Sequence, residues 1–356
     1  MRKWTLLVLF ALLLAAIPAV GAQDTPGTIA EIVVASATGD MPEFSTLLTA
    51  VGAADPAVLE ALSDPEAELT VFAPTDAAFA ALAEALGEEA FNAVLADPEM
   101  LTGILLYHVL DGKVMSADVV AALEAGEGSF VAKTLNGQYI DVTAAEDGGV
   151  MIDAANLNLE MIDIEAANGV IHVIDAVILP ESRTIAEIVV EAASAEEGAE
   201  FTSLLAAVGA ADPAVLETLS DPEAELTVFA PTDAAFAALG EETLNAVLAD
   251  QALLTSILLY HVVPATVGSM DLAALLAEAG EEGLMVDSAL EGQQLTFTVD
   301  MDGNVVINGV VKIVATDIDA ANGTIHVIDA VLVPQAETAS AAMVSGSAGC
   351  SKAGSA

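Results

Sequence analysis

ADPAVLEALSDPEAELTVFAPTDAAFAAL, residues Ala54 to Leu82, recurs as residues Ala211 to Leu239 with a single change, Thr218 in place of Ala61. A near-identical run of 29 residues at an offset of 157 in a chain of 356 implies two similar domains, not a solenoid of short repeats. Within the run, Asp55-Pro56 puts a side-chain acceptor at a helix N-cap and a proline in the first turn, after which Val58, Leu59 and Leu62 share one face. Asp64-Pro65 ends that helix. Leu69 to Ala73 is then a short β-rich stretch, and Pro74-Thr75-Asp76 stops it and caps a helix from Ala77 to about Leu86. Thr232 and Asp233 hold the same places in the second copy.

Upstream of the long repeat, Thr28 to Val34 and Thr184 to Val190 open the two copies with apolar residues at helical spacing. After the long repeat the copies part by four residues, because Ala83 to Leu86 have no counterpart between Leu239 and Gly240; one helical turn more or less absorbs that difference. They rejoin at Asn92 to Asp97 and Asn245 to Asp250, and run into Ile104 to Val109 and Ile257 to Val262, a helix feeding a strand. Asn136-Gly137, Asp147-Gly148 and Asp302-Gly303 sit between apolar flanks and predict antiparallel hairpins. Each copy closes on an Asn-Gly turn and an almost unbroken apolar run, Asn168 to Pro180 and Asn322 to Pro334, the pattern of a strand buried on both faces. Only Glu181, Ser182 and Arg183 separate Pro180 from Thr184, so the domains are joined with little slack.

At the N-terminus Arg2 and Lys3 precede an apolar run from Leu6 to Ile17 and the small residues Gly21-Ala22; residues 1–22 read as a secretory signal, too short to span a bilayer comfortably. Cleavage there gives an exported chain that is not transmembrane. Domain 1 is placed at 28–180 and domain 2 at 184–334, followed by an Ala/Ser/Gly-rich tail, 335–356, read as disordered. The lone Cys350 lies in that tail, so packing and not a disulfide must hold each domain. With 54 Asp and Glu against 7 Lys and Arg, a net charge of −47, nucleic acid and anionic membrane surfaces are poor partners, for want of cations to displace counterions, and no nucleic-acid partner is expected.

Three ordered blocks recur in both copies: Thr70 to Phe79 with Thr227 to Phe236, Tyr107-His108 with Tyr260-His261, and Asn168 to Pro180 with Asn322 to Pro334. In these blocks the chain resembles the fasciclin (FAS1, βig-h3) domain family, over roughly residues 28–334. The resemblance implies an α+β fold of two fasciclin-like domains, each a wedge of antiparallel strands packed with several helices. It also implies a secreted, periplasmic or surface-displayed protein that attaches cells to one another or to a matrix through an extracellular protein or polysaccharide. A carrier of a small apolar ligand such as a carotenoid is the second expectation.

All four histidines fall in the shared blocks. By similarity, Tyr107, His108, Tyr260 and His261 are the candidate interaction surface, while Thr75, Asp76, His172, Asp175, Thr232, Asp233, His326 and Asp329 form a structural motif. A metal site of two histidines and a carboxylate per domain is disfavoured, since His172 and Asp175 stand three apart on one strand and face opposite ways. Asp300 to Asn304 begins like a calcium loop but lacks the glycine at position six and the distal glutamate, and reads as a hairpin turn. Asn322-Gly323-Thr324 matches the N-glycosylation pattern by accident of its tight turn. No hydrolase, metalloprotease or phosphate-loop motif is present, and the expectation is binding without catalysis or cofactor.

Overall fold

The computed structural model describes residues 26–334, leaving out 40–42, 127, 146–147, 196–197, 281–282 and 302. The secretory signal, the tail with Cys350, and Asp147 and Asp302 of the two Asp-Gly turns lie outside the described residues.

Domain 1 opens with three helices, α1 (Ile29–Ala37), α2 (Ser45–Ala53) and α3 (Pro56–Ser63). Thr28 caps α1 in a reciprocal box with Glu31, and Asp55 caps α3 ahead of Pro56, so each accepts a hydrogen bond from a first-turn amide that the helix leaves unpaired. Strand β1 (Leu69–Pro74) follows, then α4 (Asp76–Leu86), α5 (Glu88–Ala96) and α6 (Pro98–Tyr107). Next come β2 (Val109–Asp111), α7 (Ser116–Ala125), β3 (Ser129–Lys133), β4 (Tyr139–Ala144) and β5 (Val150–Ile152). The domain closes with β6 (Ala155–Asn156), β7 (Ile164–Ala166) and β8 (Gly169–Ile174).

Domain 2 repeats the order. Its helical half is α8 (Ile185–Ser194), α9 (Thr202–Ala210), α10 (Pro213–Ser220), β9 (Leu226–Pro231), α11 (Asp233–Ala238), α12 (Glu241–Ala249) and α13 (Gln251–Tyr260). Its strand-rich half is β10 (Val262–Val263), α14 (Ser269–Ala279), β11 (Leu284–Asp287), β12 (Gln294–Val299), β13 (Val305–Ile307), β14 (Val311–Ala320) and β15 (Gly323–Ile328). The missing Ala83–Leu86 turn shows directly: α4 runs to Leu86, whereas α11 stops at Ala238.

The strands of domain 1 form two sheets, β2-β1-β8-β7 and β3-β4-β5-β6; in domain 2 the equivalents join in one sheet, β10-β9-β15-β14-β13-β12-β11. The join is β14, which stays continuous through two register shifts around Ala315, with Asp317 at φ 58° on its bend. Domain 1 makes the same bend with Asp163 at φ 54° but pairs its chain as the separate β6 and β7. Within the mainly antiparallel wedge the central pair runs parallel, with Leu69 opposite Gly169 and Pro74 opposite Ile174. The long chain between β1 and β8 makes that crossover possible.

The closing strand is buried along its whole length in both domains, as its apolar run predicts. Ile171 and Val173 face a core with Ile29, Phe44 and Val71 beneath the helices. Ile174 on the other side joins Phe72, Tyr107, Ile140 and Ile152 beneath the second sheet. Its entry is equally constrained. Asn168 accepts from the Ile29 amide at 2.8 Å and donates to the carbonyls of Leu62 and Asp64 at 3.1 and 2.9 Å, tying the strand to α1 and α3. A Cβ on Gly169, at φ 149°, would stand 1.9 Å from the Leu69 carbonyl oxygen, so only glycine lets the two strands approach there. Asn322 repeats these bonds, and the burial of its side chain accords with an accidental glycosylation match.

Candidate functional site

Tyr107 and His108 end α6, and Tyr260 and His261 end α13, where a helix must hand over to a strand inside the protein. They are 5, 4, 2 and 3% exposed, so a partner cannot touch these side chains, and the interaction surface expected of them must be corrected. The physical reason is the backbone they satisfy. His108 Nδ1 donates to the Ile104 carbonyl at 2.8 Å, and its Nε2 accepts from the Ile178 amide at 3.2 Å. His261 does the same with Ile257 at 2.7 Å and Leu332 at 2.9 Å. Each ring thus locks a helix end to the chain beyond the closing strand. Burial drives both down to about 4, only partly opposed by the backbone acceptor, and both are neutral at physiological pH. Tyr107 Oη donates to Asp153 Oδ2 at 2.8 Å; Tyr260 Oη instead accepts from Asn308 Nδ2 at 2.9 Å and donates to the Gln294 carbonyl at 3.0 Å.

The eight residues assigned to a structural motif all bond within the fold. His172 bridges the Val114 carbonyl (2.8 Å) and the Asp163 amide (3.3 Å), and His326 bridges Val267 (2.8 Å) and Asp317 (3.2 Å). Asp175 binds the Asn156 amide at 2.7 Å, and Asp329 binds the Lys312 amide at 2.8 Å, away from those histidines. Thr75 and Thr232 cap α4 and α11. Asp76 turns back to a different helix, accepting from the Ser45 and Thr46 amides at 3.2 and 2.7 Å, and Asp233 does the same for Thr202 and Ser203 at 3.1 and 2.7 Å. In the calcium-like stretch, Asp300 holds Lys312 Nζ at 2.9 Å and the Asn304 amide, as a hairpin turn does.

What lies outside is a different set. Val34 on α1 and Leu59 on α3 are 43 and 45% exposed, and their counterparts Val190 on α8 and Leu216 on α10 are 45 and 44% exposed. In domain 2 the latter pair flank one shallow apolar groove floored by Val189, Val215 and Leu219. Equal exposure of large apolar side chains at equivalent places is a duplicated surface. Its signal was in the sequence: Ile32-Val33-Val34 and Ile188-Val189-Val190 put three apolar residues in succession on a helix, and 100° steps cannot turn all three inward.

The duplicated surfaces are held together by a built joint. Tyr139 Oη donates to Asp271 Oδ2 at 2.7 Å and accepts from the Gly268 amide at 2.7 Å, while the Tyr139 amide donates to Asp319 at 3.0 Å. Lys133 Nζ reaches the same Asp271 oxygen at 3.0 Å, and Gln138 holds both the carbonyl and the amide of Glu181 in the linker at 2.7 and 2.9 Å. Burial, reinforced by the carboxylates of Asp317, Asp153 and Asp141 against the Tyr139 amide, pushes Asp319 up to about 7. Its other oxygen is buried with no hydrogen-bond partner among the described residues.

The fasciclin domain pattern matches this chain at residues 42–180 and again at 199–334. The chain belongs to the fasciclin domain family. It is 33% identical to transforming growth factor-beta-induced protein ig-h3 of Sus scrofa over 267 residues, 74% of this chain and 34% of that protein. It therefore spans about a third of the length of that relative. Protein sll1483 of Synechocystis is 40% identical over 159 residues, 45% of this chain and 77% of that protein. Among solved structures, the FAS1 domain pair of the insect cell adhesion molecule fasciclin I aligns over 81% of this chain and 96% of that one, at 19% identity and a TM-score of 0.37. The two fasciclin domains account for the repeat at Ala54 to Leu82 and Ala211 to Leu239.

Proposed function

We propose that this protein acts outside the cell as an adhesion and binding protein without catalytic activity, attaching cells to each other or to matrix chiefly through protein contacts. Fasciclin domains are associated with cell adhesion, which supports the general reading. One observation carries the specific one: the exposed pairs Val34/Leu59 and Val190/Leu216 recur on two domains joined through the Tyr139 hydrogen bonds. An apolar patch on so acidic a surface suits a protein partner that offers apolar side chains ringed by Lys and Arg. Two weak contacts on a joined pair gain by avidity what neither holds alone.

The test is attachment of residues 23–356 to the producing cells and their matrix, beside Leu59→Ser, Leu216→Ser and the double variant. Each substitution removes a half-buried leucine from a helix and should cost about 1–2 kcal/mol, so circular dichroism first shows that each variant folds. Each single variant should weaken attachment, and the double variant should lose at least ten times more than either. Attachment abolished by protease treatment of the matrix, and not by glycosidase, identifies the partner as protein. Undiminished attachment by the folded double variant would remove this surface from the contact, and a wild type that attaches to nothing would sink the adhesive reading itself.

A further inference from the structure

We infer that domain 2 carries a binding site for a compact, uncharged hydrocarbon-like molecule beneath α11, α12 and α13. A cavity of about 250 Å³ lies there, walled by Phe236, Leu244, Leu248, Leu254, Ile257 and Val331, with no polar surface exposed to it. His261 also borders it, but both ring nitrogens are taken by the Ile257 carbonyl and the Leu332 amide, so it offers a ligand no polar group. A cavity without polar partners does not hold water well, and one of about 150 Å³ already accepts benzene. Its mouth is built from side chains that face solvent, Leu253 at 42% and Val333 at 58%, which gives a ligand a way in.

The chain's own duplication says why the space is there. Domain 1 has Phe91 where domain 2 has Leu244, and its α4 continues through Ala83–Leu86 past the point where α11 ends. Domain 2 thus lacks a ring and a helical turn that domain 1 has, while Leu244, Leu248 and Leu254 wall the space. Scaling from benzene, the volume suits about ten carbon atoms, two fused rings or a medium-length alkyl chain. An extended carotenoid is several times too large, so the expectation of a carotenoid carrier is narrowed to a smaller ligand. The cavity lies beside the groove of Val190 and Leu216 but is a separate space, and the inference stands whether or not that groove mediates adhesion.

Naphthalene is the probe. Its emission is free of tryptophan overlap, because the only tryptophan, Trp4, is absent from residues 23–356. Titration should show saturable binding of one equivalent per chain. Leu244→Phe, which installs the residue domain 1 carries, should weaken binding at least tenfold, whereas Leu59→Ser/Leu216→Ser should leave it unchanged. A size series on the wild type tests the site independently of whether Leu244→Phe folds: naphthalene should bind and pyrene should not. No saturable binding, equal binding by folded Leu244→Phe, or pyrene bound as tightly as naphthalene would overturn the assignment.

Discussion

His108 and His261 each spend both ring nitrogens on the backbone, and that fixes how they respond to acid. Their folded values near 4 lie below the ordinary 6.5, so between those two values the unfolded chain binds more protons than the folded one. The stability each contributes is complete above pH 6.5 and is lost as pH falls toward 4, by an amount on the order of 3 kcal/mol each. His261→Gln removes this titration along with some packing and hydrogen bonding, costing about 1–3 kcal/mol at pH 7.5. The gap in unfolding free energy between wild type and His261→Gln should therefore narrow steadily from pH 7 to 4.5 in urea titrations. A gap independent of pH would mean the ring is not held neutral by its site.

At the scale of elements, α2 depends on a residue that belongs to another helix. Phe44 at its N-cap makes no side-chain bond, and the cap comes from Asp76 at the start of α4. Burial alone would raise the Asp76 carboxyl, but the hydrogen bonds from Ser45 and Thr46 outweigh it and hold it below its ordinary value. Asp76→Ala should cost about 1–2 kcal/mol at neutral pH and speed hydrogen exchange in α2, while Thr75 still caps α4. The loss should shrink as acid protonates Asp76 in the wild type, since a lowered carboxyl contributes only above its folded value. Unchanged exchange in α2 would show that packing of Leu47, Ala50 and Val51 suffices.

Helices capped from within their own first turn were legible because their causes are local. Asp55-Pro56 and Thr75 carry their structure within a few residues. The parallel pairing of β1 with β8 was not legible, because register between segments a domain apart is settled by the core they share. The Tyr-His pairs failed as a surface for the same reason: the acceptors that bury Tyr107, in β4 and at Asp153, are distant in sequence. The exposed Val34 and Val190 could have been found, since the helix period leaves the third of three successive apolar residues outside.

Across the whole molecule the dominant fact is a net charge of −47. Spread over the roughly 13,000 Å² that a folded chain of 36.0 kDa exposes, 54 acidic side chains stand about 16 Å from their neighbours. That is inside the screening length of about 30 Å at 0.01 M salt and well outside the roughly 8 Å at 0.15 M. Self-repulsion should thus act in dilute salt and fade before physiological ionic strength. The joint feels it most, because Asp141 and Asp153 of one domain meet Asp317 and Asp319 of the other, where Lys133 pairs with Asp271 across the boundary. The melting temperature should rise by several degrees from 0.01 to 0.15 M sodium chloride and then flatten, with X-ray scattering showing a more open domain pair at the dilute end. A melting temperature flat from 0.01 M upward would mean that the carboxylates are too dispersed to oppose folding, and a rise that continues steeply to molar salt would point to cations bound at sites and not to screening.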